Sequence, residues 1–311
     1  MRKVGIVGAG QVGATLAQRV AESALADVAL VDVAEGLARG KALDIAQSLA
    51  FLPSPARVEG GDDYALLEGS SVVVVTAGFP RQPGMSRDDL IARNAEVVTG
   101  VVEKASQAAP GAVLVMVTNP LDSMSWLAWR VSGFERHRVL GMAGTLDCAR
   151  FQYFVGQALR VPPSEVRCMI MGSHGDSMVV LPGYAQVGGV PLQRLLPREE
   201  IDRLAARARD GGAEIVSMLK SGSAFYAPSA AVFRLLRAIL DDEGSILPAS
   251  VLLEGEMGIS GIFLGVPVVL GEGGWKRVVE VELEPEDRER LEKSAAQIQS
   301  QVEELRKMLR L

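Results

Sequence analysis

Short apolar runs alternate with helix-period segments along the first half of the chain. Lys3 to Val7 reads as a strand and Val12 to Ser23 as the helix after it. Val28 to Val33 reads as a second strand, and Ala38 to Phe51 as a helix with Leu43, Ala46 and Ala50 along one face. Ser71 to Thr76 contains four valines in a row, and the absence of polar alternation predicts a central strand buried on both faces. Ala112 to Val117 repeats that pattern after a helix over Asn94 to Ala108, and Val139 to Met142 is a further, shorter strand. Strands taking turns with helices predict a parallel sheet wrapped by helices.

The texture changes beyond Gly144. Arg167 to Met171 and Val266 to Leu270 read as strands, Glu199 to Leu219 and Ser229 to Leu240 as helices. Pro285 to Leu309 places Leu291, Ala295, Ile298, Val302, Leu305 and Leu309 on one face. That seam lasts too few heptads for a coiled coil, so a terminal helix packed on its own domain is expected. The absence of repeats and of a Ser/Pro-rich linker predicts two domains meeting at a tight interface. Ala38 to Phe51 is apolar on more than one side, which suits burial against another subunit or against its own sheet.

A chain of 311 residues is long enough for two cores. Its 48% hydrophobic and 23% charged residues exclude disordered and collagenous classes. No apolar run approaches the roughly 18 residues of a membrane span. Lys3 leads straight into the first strand, so neither a signal peptide nor a membrane partner is expected. A net charge of −6 argues against nucleic acid as a partner, because phosphate backbones need a basic face. Two cysteines, Cys148 and Cys168, make no disulfide framework and fit a cytoplasmic location. With two histidines, His137 and His174, they leave little for a metal cluster, and no metal is expected. Imidazole acid–base chemistry therefore has two candidates.

Gly8-Ala9-Gly10-Gln11-Val12-Gly13 follows the first strand and opens the first helix. Gly8 permits a tight turn, Gly10 lets a pyrophosphate approach the backbone, and Gly13 lets helix and strand pack closely. The helix N-terminus offers N–H groups and partial positive charge to phosphates. Asp32 ends the second strand, where a carboxylate accepts from ribose hydroxyls and repels a 2′-phosphate. NAD is therefore the expected cofactor rather than NADP. The expected architecture is α/β: a Rossmann-type doubly wound parallel sheet over residues 1–143, then an α+β substrate domain over residues 144–311.

Three further segments concentrate polar chemistry. The Gly/Pro-rich run from Thr76 to Arg87 carries Arg81 and Arg87 after the valine strand, where open α/β sheets bind ligands and loops act as lids. Val117-Thr118-Asn119-Pro120 ends the next strand, and Asn119 can donate to a substrate oxygen. Asp147 and Arg150 share one helical face, and His174 lies in a glycine-flanked loop. His137, inside Phe134-Glu135-Arg136-His137-Arg138, reads as a solvated connection with no role.

On these ordered motifs the chain resembles the lactate/malate dehydrogenase family nearly end to end, and within it the lactate-dehydrogenase-like malate dehydrogenases. The resemblance implies His174 as the catalytic acid–base and Asp147 as the carboxylate that orients it. It implies Arg150 on the substrate carboxylate, Arg87 on the carbonyl oxygen and Asn119 as a substrate contact. Cofactor contacts map to Asn94 and to the backbone of Val117, Thr118 and Asn119. In that family residue 81 separates substrates, glutamine going with lactate and arginine with malate. Arg81 thus implies a second carboxylate on the substrate, and small Ala224 leaves room for it. The implied activity is reversible hydride transfer between (S)-malate and NAD+, in a homodimer or homotetramer. L-Lactate dehydrogenase or another 2-hydroxy acid dehydrogenase is the alternative. A non-catalytic NAD-binding module would explain Gly8 to Gly13 and Asp32 but not His174 with Asp147, Arg150 and Arg87. NAD-dependent glycoside hydrolysis would want a Cys/His metal site.

Overall fold

The computed structural model describes residues 1–80, 87–175 and 177–309, with Arg87 and Asp88 described through their backbone. Six parallel strands open the fold: β1 (Lys3–Val7), β2 (Asp27–Val31), β3 (Val58–Gly61), β4 (Val72–Val75), β5 (Val113–Met116) and β6 (Val139–Gly141). Their order across the sheet is β3-β2-β1-β4-β5-β6, with the reversal point between β1 and β4. All four valines of β4 are fully buried, as their unbroken run predicts, each contributing about 1.5–3 kcal/mol by burial. The helices of this half are α1 (Gln11–Glu22), α2 (Leu37–Ser48), α3 (Arg87–Ala108) and α4 (Leu121–Ser132).

The second half contributes α5 (Gly144–Leu159), β7 (Val166–Arg167), β8 (Ile170–Gly172), β9 (Met178–Val180), β10 (Gln186–Val187) and β11 (Val190–Pro191). Then come α6 (Arg198–Leu219), α7 (Tyr226–Leu240), β12 (Ser245–Glu254), β13 (Ser260–Gly271), β14 (Gly274–Val278) and α8 (Pro285–Leu309). β12 pairs antiparallel with β6 through Ser250 and Gly141, so the parallel sheet continues into β12, β13, β8 and β9. Gly141 is needed at that seam, because a Cβ there would lie 2.6 Å from Ser125 Oγ. The halves are thus joined by a continuous mixed sheet rather than by docking alone.

Several elements differ from the expectation. Arg167 to Met171 is two strands: β7 joins a small sheet with β10 and β11, while β8 joins the main sheet. β12 and β13 extend well beyond Val266 to Leu270, and Pro248 faces Pro267 across them. Prolines read as strand breaks in sequence but are tolerated where no ladder donor is required. α4 escapes the sequence reading because Leu121 through Ala128 are all buried, which erases the amphipathic stripe. α3 begins at Arg87, seven residues before the expected Asn94.

α2 buries Ala38 and Ala42 against the chain but leaves Leu43 61% exposed, and Phe51 beyond it is 91% exposed. Its second apolar side is therefore not covered by its own sheet. α8 does pack on its own chain, with Leu291, Ile298, Val302 and Leu305 buried against α4 and β13.

Candidate active site

The glycine loop sits between β1 and α1, with Gly8 at φ +110°, a left-handed conformation that a side chain would strain. A Cβ on Gly13 would collide with the Gly8 carbonyl, so helix and strand can approach this closely only with glycine there. Thr76 Oγ1, just past β4, donates to the Gly8 carbonyl at 2.9 Å and ties the loop to the neighbouring strand. Gly10 caps α1 without a side-chain hydrogen bond, and a Cβ there would meet nothing within 4 Å. Ala9 N donates to Asp32 Oδ2 at 2.6 Å and Ala34 N to Oδ1 at 2.9 Å. Those two bonds aim the carboxylate across the end of β2, beside the loop that carries Gln11 and Val12 into the helix. Lys41 on α2 donates to the Ala9 carbonyl at 2.7 Å, a brace that no sequence motif marks.

The ends of β4 and β5 meet around Asn94 of α3, which is fully buried. Its Oδ1 accepts from Phe79 N at 2.7 Å, while Nδ2 donates to the Phe79 carbonyl at 3.1 Å and the Asn119 carbonyl at 2.6 Å. Both amide hydrogens are thereby engaged, so Asn94 is a strut that fixes the two loop ends. Thr118 Oγ1 donates to the Ala77 carbonyl at 2.6 Å, and Val117 N to Val75 O at 2.9 Å continues the β4–β5 ladder. Asn119 is exposed at the carboxyl edge of the sheet, ahead of α4. Arg81 lies outside the described residues, and the Arg87 side chain does too.

His174 stands in the loop between β8 and β9, and α5 delivers Asp147 and Arg150 from one face. His174 Nδ1 and Asp147 Oδ2 are 3.0 Å apart. Burial pushes the imidazole pKa down, but the Asp147 charge and hydrogen bond, with help from Asp122, outweigh that and the opposing Arg150. The net result is a histidine raised above its ordinary value. Arg150 Nη1 is 3.6 Å from Asp147 Oδ1, and Arg150 Nε is buried with no acceptor in the protein. Burial lowers the guanidinium pKa and the neighbouring Asp147 partly restores it. A buried guanidinium with an unsatisfied donor suits an anionic ligand. Gly211 and Gly212 of α6 make the room: a Cβ on Gly211 would lie 3.1 Å from Arg150 Cδ, and one on Gly212 3.3 Å from Nη2.

Residues 2–141 match the lactate/malate dehydrogenase NAD-binding domain, and residues 144–309 match the lactate/malate dehydrogenase alpha/beta C-terminal domain. The chain belongs to the lactate/malate dehydrogenase family. Malate dehydrogenase 1 of Anaeromyxobacter dehalogenans is 47% identical over 305 residues, spanning 97% of this chain and 98% of that protein. The crystal structure of Cryptosporidium parvum malate dehydrogenase has a TM-score of 0.95 at 40% identity, covering 99% of this chain and 100% of the other. A lactate dehydrogenase from Cryptosporidium parvum, complexed with lactic acid and nicotinamide adenine dinucleotide, has a TM-score of 0.94 at 37% identity and covers 98% of both chains.

The residues of this dehydrogenase fit NAD. The open backbone at Gly10, the uncapped start of α1 and the carboxylate at Asp32 supply room, N–H donors and a ribose acceptor in the expected order. His137 is half exposed and 3.2 Å from Glu135, away from these groups in sequence and in hydrogen bonding. Among the described residues there is no cluster of His, Cys, Asp or Glu able to hold a metal ion, and no helix long and apolar enough to cross a membrane.

Sequence reading missed Asp122, whose oxygens accept from Ser250, Ser173 and the His174 amide. Burial raises its pKa, while the two serine hydrogen bonds, the His174 charge and the His174 amide lower it. An acid in the first turn of a helix ordinarily reads as a surface complement to the helix dipole, so its burial leaves no sequence signal. Gly211 and Gly212 were equally silent, being two small residues within a long helical pattern.

Proposed function

We propose that the protein oxidises (S)-malate with NAD+ to oxaloacetate and NADH, reversibly, through the His174, Asp147 and Arg150 cluster. The observation that carries the reading is the 3.0 Å contact of His174 Nδ1 with Asp147, set beside a buried and under-satisfied Arg150. NAD, when bound, supplies the two-electron acceptor. His174 Nε2 takes the hydroxyl proton during oxidation and returns it to the carbonyl oxygen during reduction. Asp147 holds the tautomer and steadies the imidazolium. Arg150 grips the C1 carboxylate and so fixes which face of C2 is presented. Arg87 stabilises charge on the carbonyl oxygen, and Asn119 orients the same oxygen. Gly8, Ala9, Gly10, Gln11, Val12, Gly13 and Asp32 hold the adenosine and pyrophosphate half, with Asn94 supporting the backbone of Val117, Thr118 and Asn119.

Malate is preferred to lactate because Arg81 matches a second carboxylate, and because relatives 47% identical over nearly the full length are named malate dehydrogenase. Lactate dehydrogenase is the second reading, supported by the likeness to the lactate-bound Cryptosporidium structure. We divide the chain into residues 1–143 for the cofactor and 144–311 for the substrate. The outward apolar side of α2 and the exposed Phe51 favour a homodimer or homotetramer. Two free cysteines favour a cytoplasmic location, with no nucleic acid or membrane partner. The deciding experiment is NADH absorbance decay with oxaloacetate and, separately, pyruvate. A kcat/KM higher for pyruvate would hand the assignment to lactate, and inactivity with both would remove the dehydrogenase reading.

A further inference from the structure

Asp122 is a second carboxylate beside the His174 loop, and the proton chemistry above does not use it. It sits in the first turn of α4 at 3% exposure. Ser250 Oγ on β12 donates to its Oδ1 at 2.7 Å. Ser173 Oγ donates to Oδ2 at 2.7 Å and the His174 backbone N–H to the same oxygen at 3.2 Å. Ser173 N in turn donates to Ser294 Oγ on α8 at 2.8 Å. The residue before His174 is therefore held by amide and hydroxyl together, and the His174 amide itself ends on Asp122. Burying a carboxylate costs several kcal/mol unless its oxygens are hydrogen-bonded, and those of Asp122 accept from β12 and the His174 loop rather than capping α4. That expense is understandable where the group fixes something whose placement matters.

We propose that Asp122 is a positioning residue for His174, its buried carboxylate between α4 and β12 setting where the loop after β8 presents the imidazole. It does this as the common acceptor for Ser173, His174 and Ser250, so that the loop, the sheet and the α4 N-terminus move as one body. Asp122 also adds negative charge near the ring. Among the described residues the charged groups facing His174 are Asp147 and Arg150 from α5 and Asp122 from α4, while β12 and α8 bring the Ser250 and Ser294 hydroxyls. Asp147 works on the ring nitrogen and Asp122 on the backbone beneath it.

The inference rests on His174 being the proton acceptor, so the test carries that residue as a separate arm. Asp122→Asn, Ser173→Ala and His174→Asn are compared in the full-length enzyme, with NADH binding followed by fluorescence. Asp122→Asn is expected to bind NADH within about twofold of the parent and to lose kcat about 10- to 100-fold through misplacement of the ring. Removal of the charge also lowers the apparent pKa controlling kcat/KM for malate oxidation by about half a unit or more. A uniform loss of kcat with that pKa unmoved would reduce Asp122 to a packing element and overturn the proposal. Ser173→Ala keeps the carboxylate and guards against a misfolded asparagine variant. It should lower kcat about fivefold or more with KM for NADH unchanged, and a kcat equal to the parent overturns the proposal by itself. Full turnover in His174→Asn would instead remove the proton role on which the inference stands.

Discussion

His174 presents Nδ1 to Asp147 Oδ2 at 3.0 Å, which leaves Nε2 as the nitrogen that can meet a substrate hydroxyl. In the proposed mechanism the carboxylate therefore decides both the tautomer and the direction of the proton path. Arg150 leans on the other oxygen of the same Asp147 at 3.6 Å, so the proposed acid–base group and the proposed carboxylate grip share one anchor on α5. A change at Asp147 must disturb both.

The raised pKa of His174 gives a pH prediction with opposite signs for the two directions. Malate oxidation needs the neutral ring, so kcat/KM should climb with pH through a pKa above the ordinary histidine value. Oxaloacetate reduction needs the protonated ring, so its kcat/KM should hold at low pH and fall as pH rises through the same pKa. Asp147→Asn should move both limbs to lower pH, and His174→Asn should abolish them with a loss of about 10²–10⁴ in kcat. Steady-state profiles in both directions, with NADH binding as control, check this.

Arg81→Gln should exchange substrates. Loss of a desolvated charge pair costs about 3–5 kcal/mol, equivalent to a few hundredfold or more in kcat/KM for oxaloacetate, while pyruvate should improve. The ratio of the two kcat/KM values is the measurement, and an unchanged ratio would strike Arg81 from the specificity argument.

Gly211→Ala separates helix stability from substrate binding. Alanine is about 1 kcal/mol better than glycine inside a helix such as α6, so melting temperature should hold or rise. Its methyl group would stand 3.1 Å from Arg150 Cδ and push the guanidinium off its carboxylate position. The KM for oxaloacetate should rise about tenfold with the KM for NADH unchanged.

Leu43→Glu tests the outward side of α2. At 61% exposure in the single chain, Leu43 can accept a charge without harm to the monomer's own core. Sedimentation or light scattering should show a smaller assembly than the parent. An unaltered mass would place the subunit contact elsewhere.

Much of the first half was legible because the signals are local. Four consecutive valines can satisfy water-free surroundings only inside a sheet covered on both faces, and two of the loop glycines answer to local geometry, Gly8 to its φ of +110° and Gly13 to the Gly8 carbonyl beside it. His174, Asp147 and Arg150 were legible as residue types, and the resemblance supplied their grouping. The α4 helix and the long β12–β13 pair were hidden, because uniform burial removes periodicity and paired prolines mimic strand ends.

The sequence by itself determined the cofactor loop, the alternation of strands and helices and the shortage of candidate imidazoles, since these depend on neighbours along the chain. Tertiary structure alone decided that β12 would extend the parallel sheet at Gly141, that Asp122 would end beneath His174, and that two glycines of α6 would clear space for Arg150. Those pairings join residues tens to more than a hundred positions apart. Nothing local distinguishes a buried carboxylate from a solvated one, or a glycine that yields room from one that merely weakens a helix, until the packing brings their partners into contact.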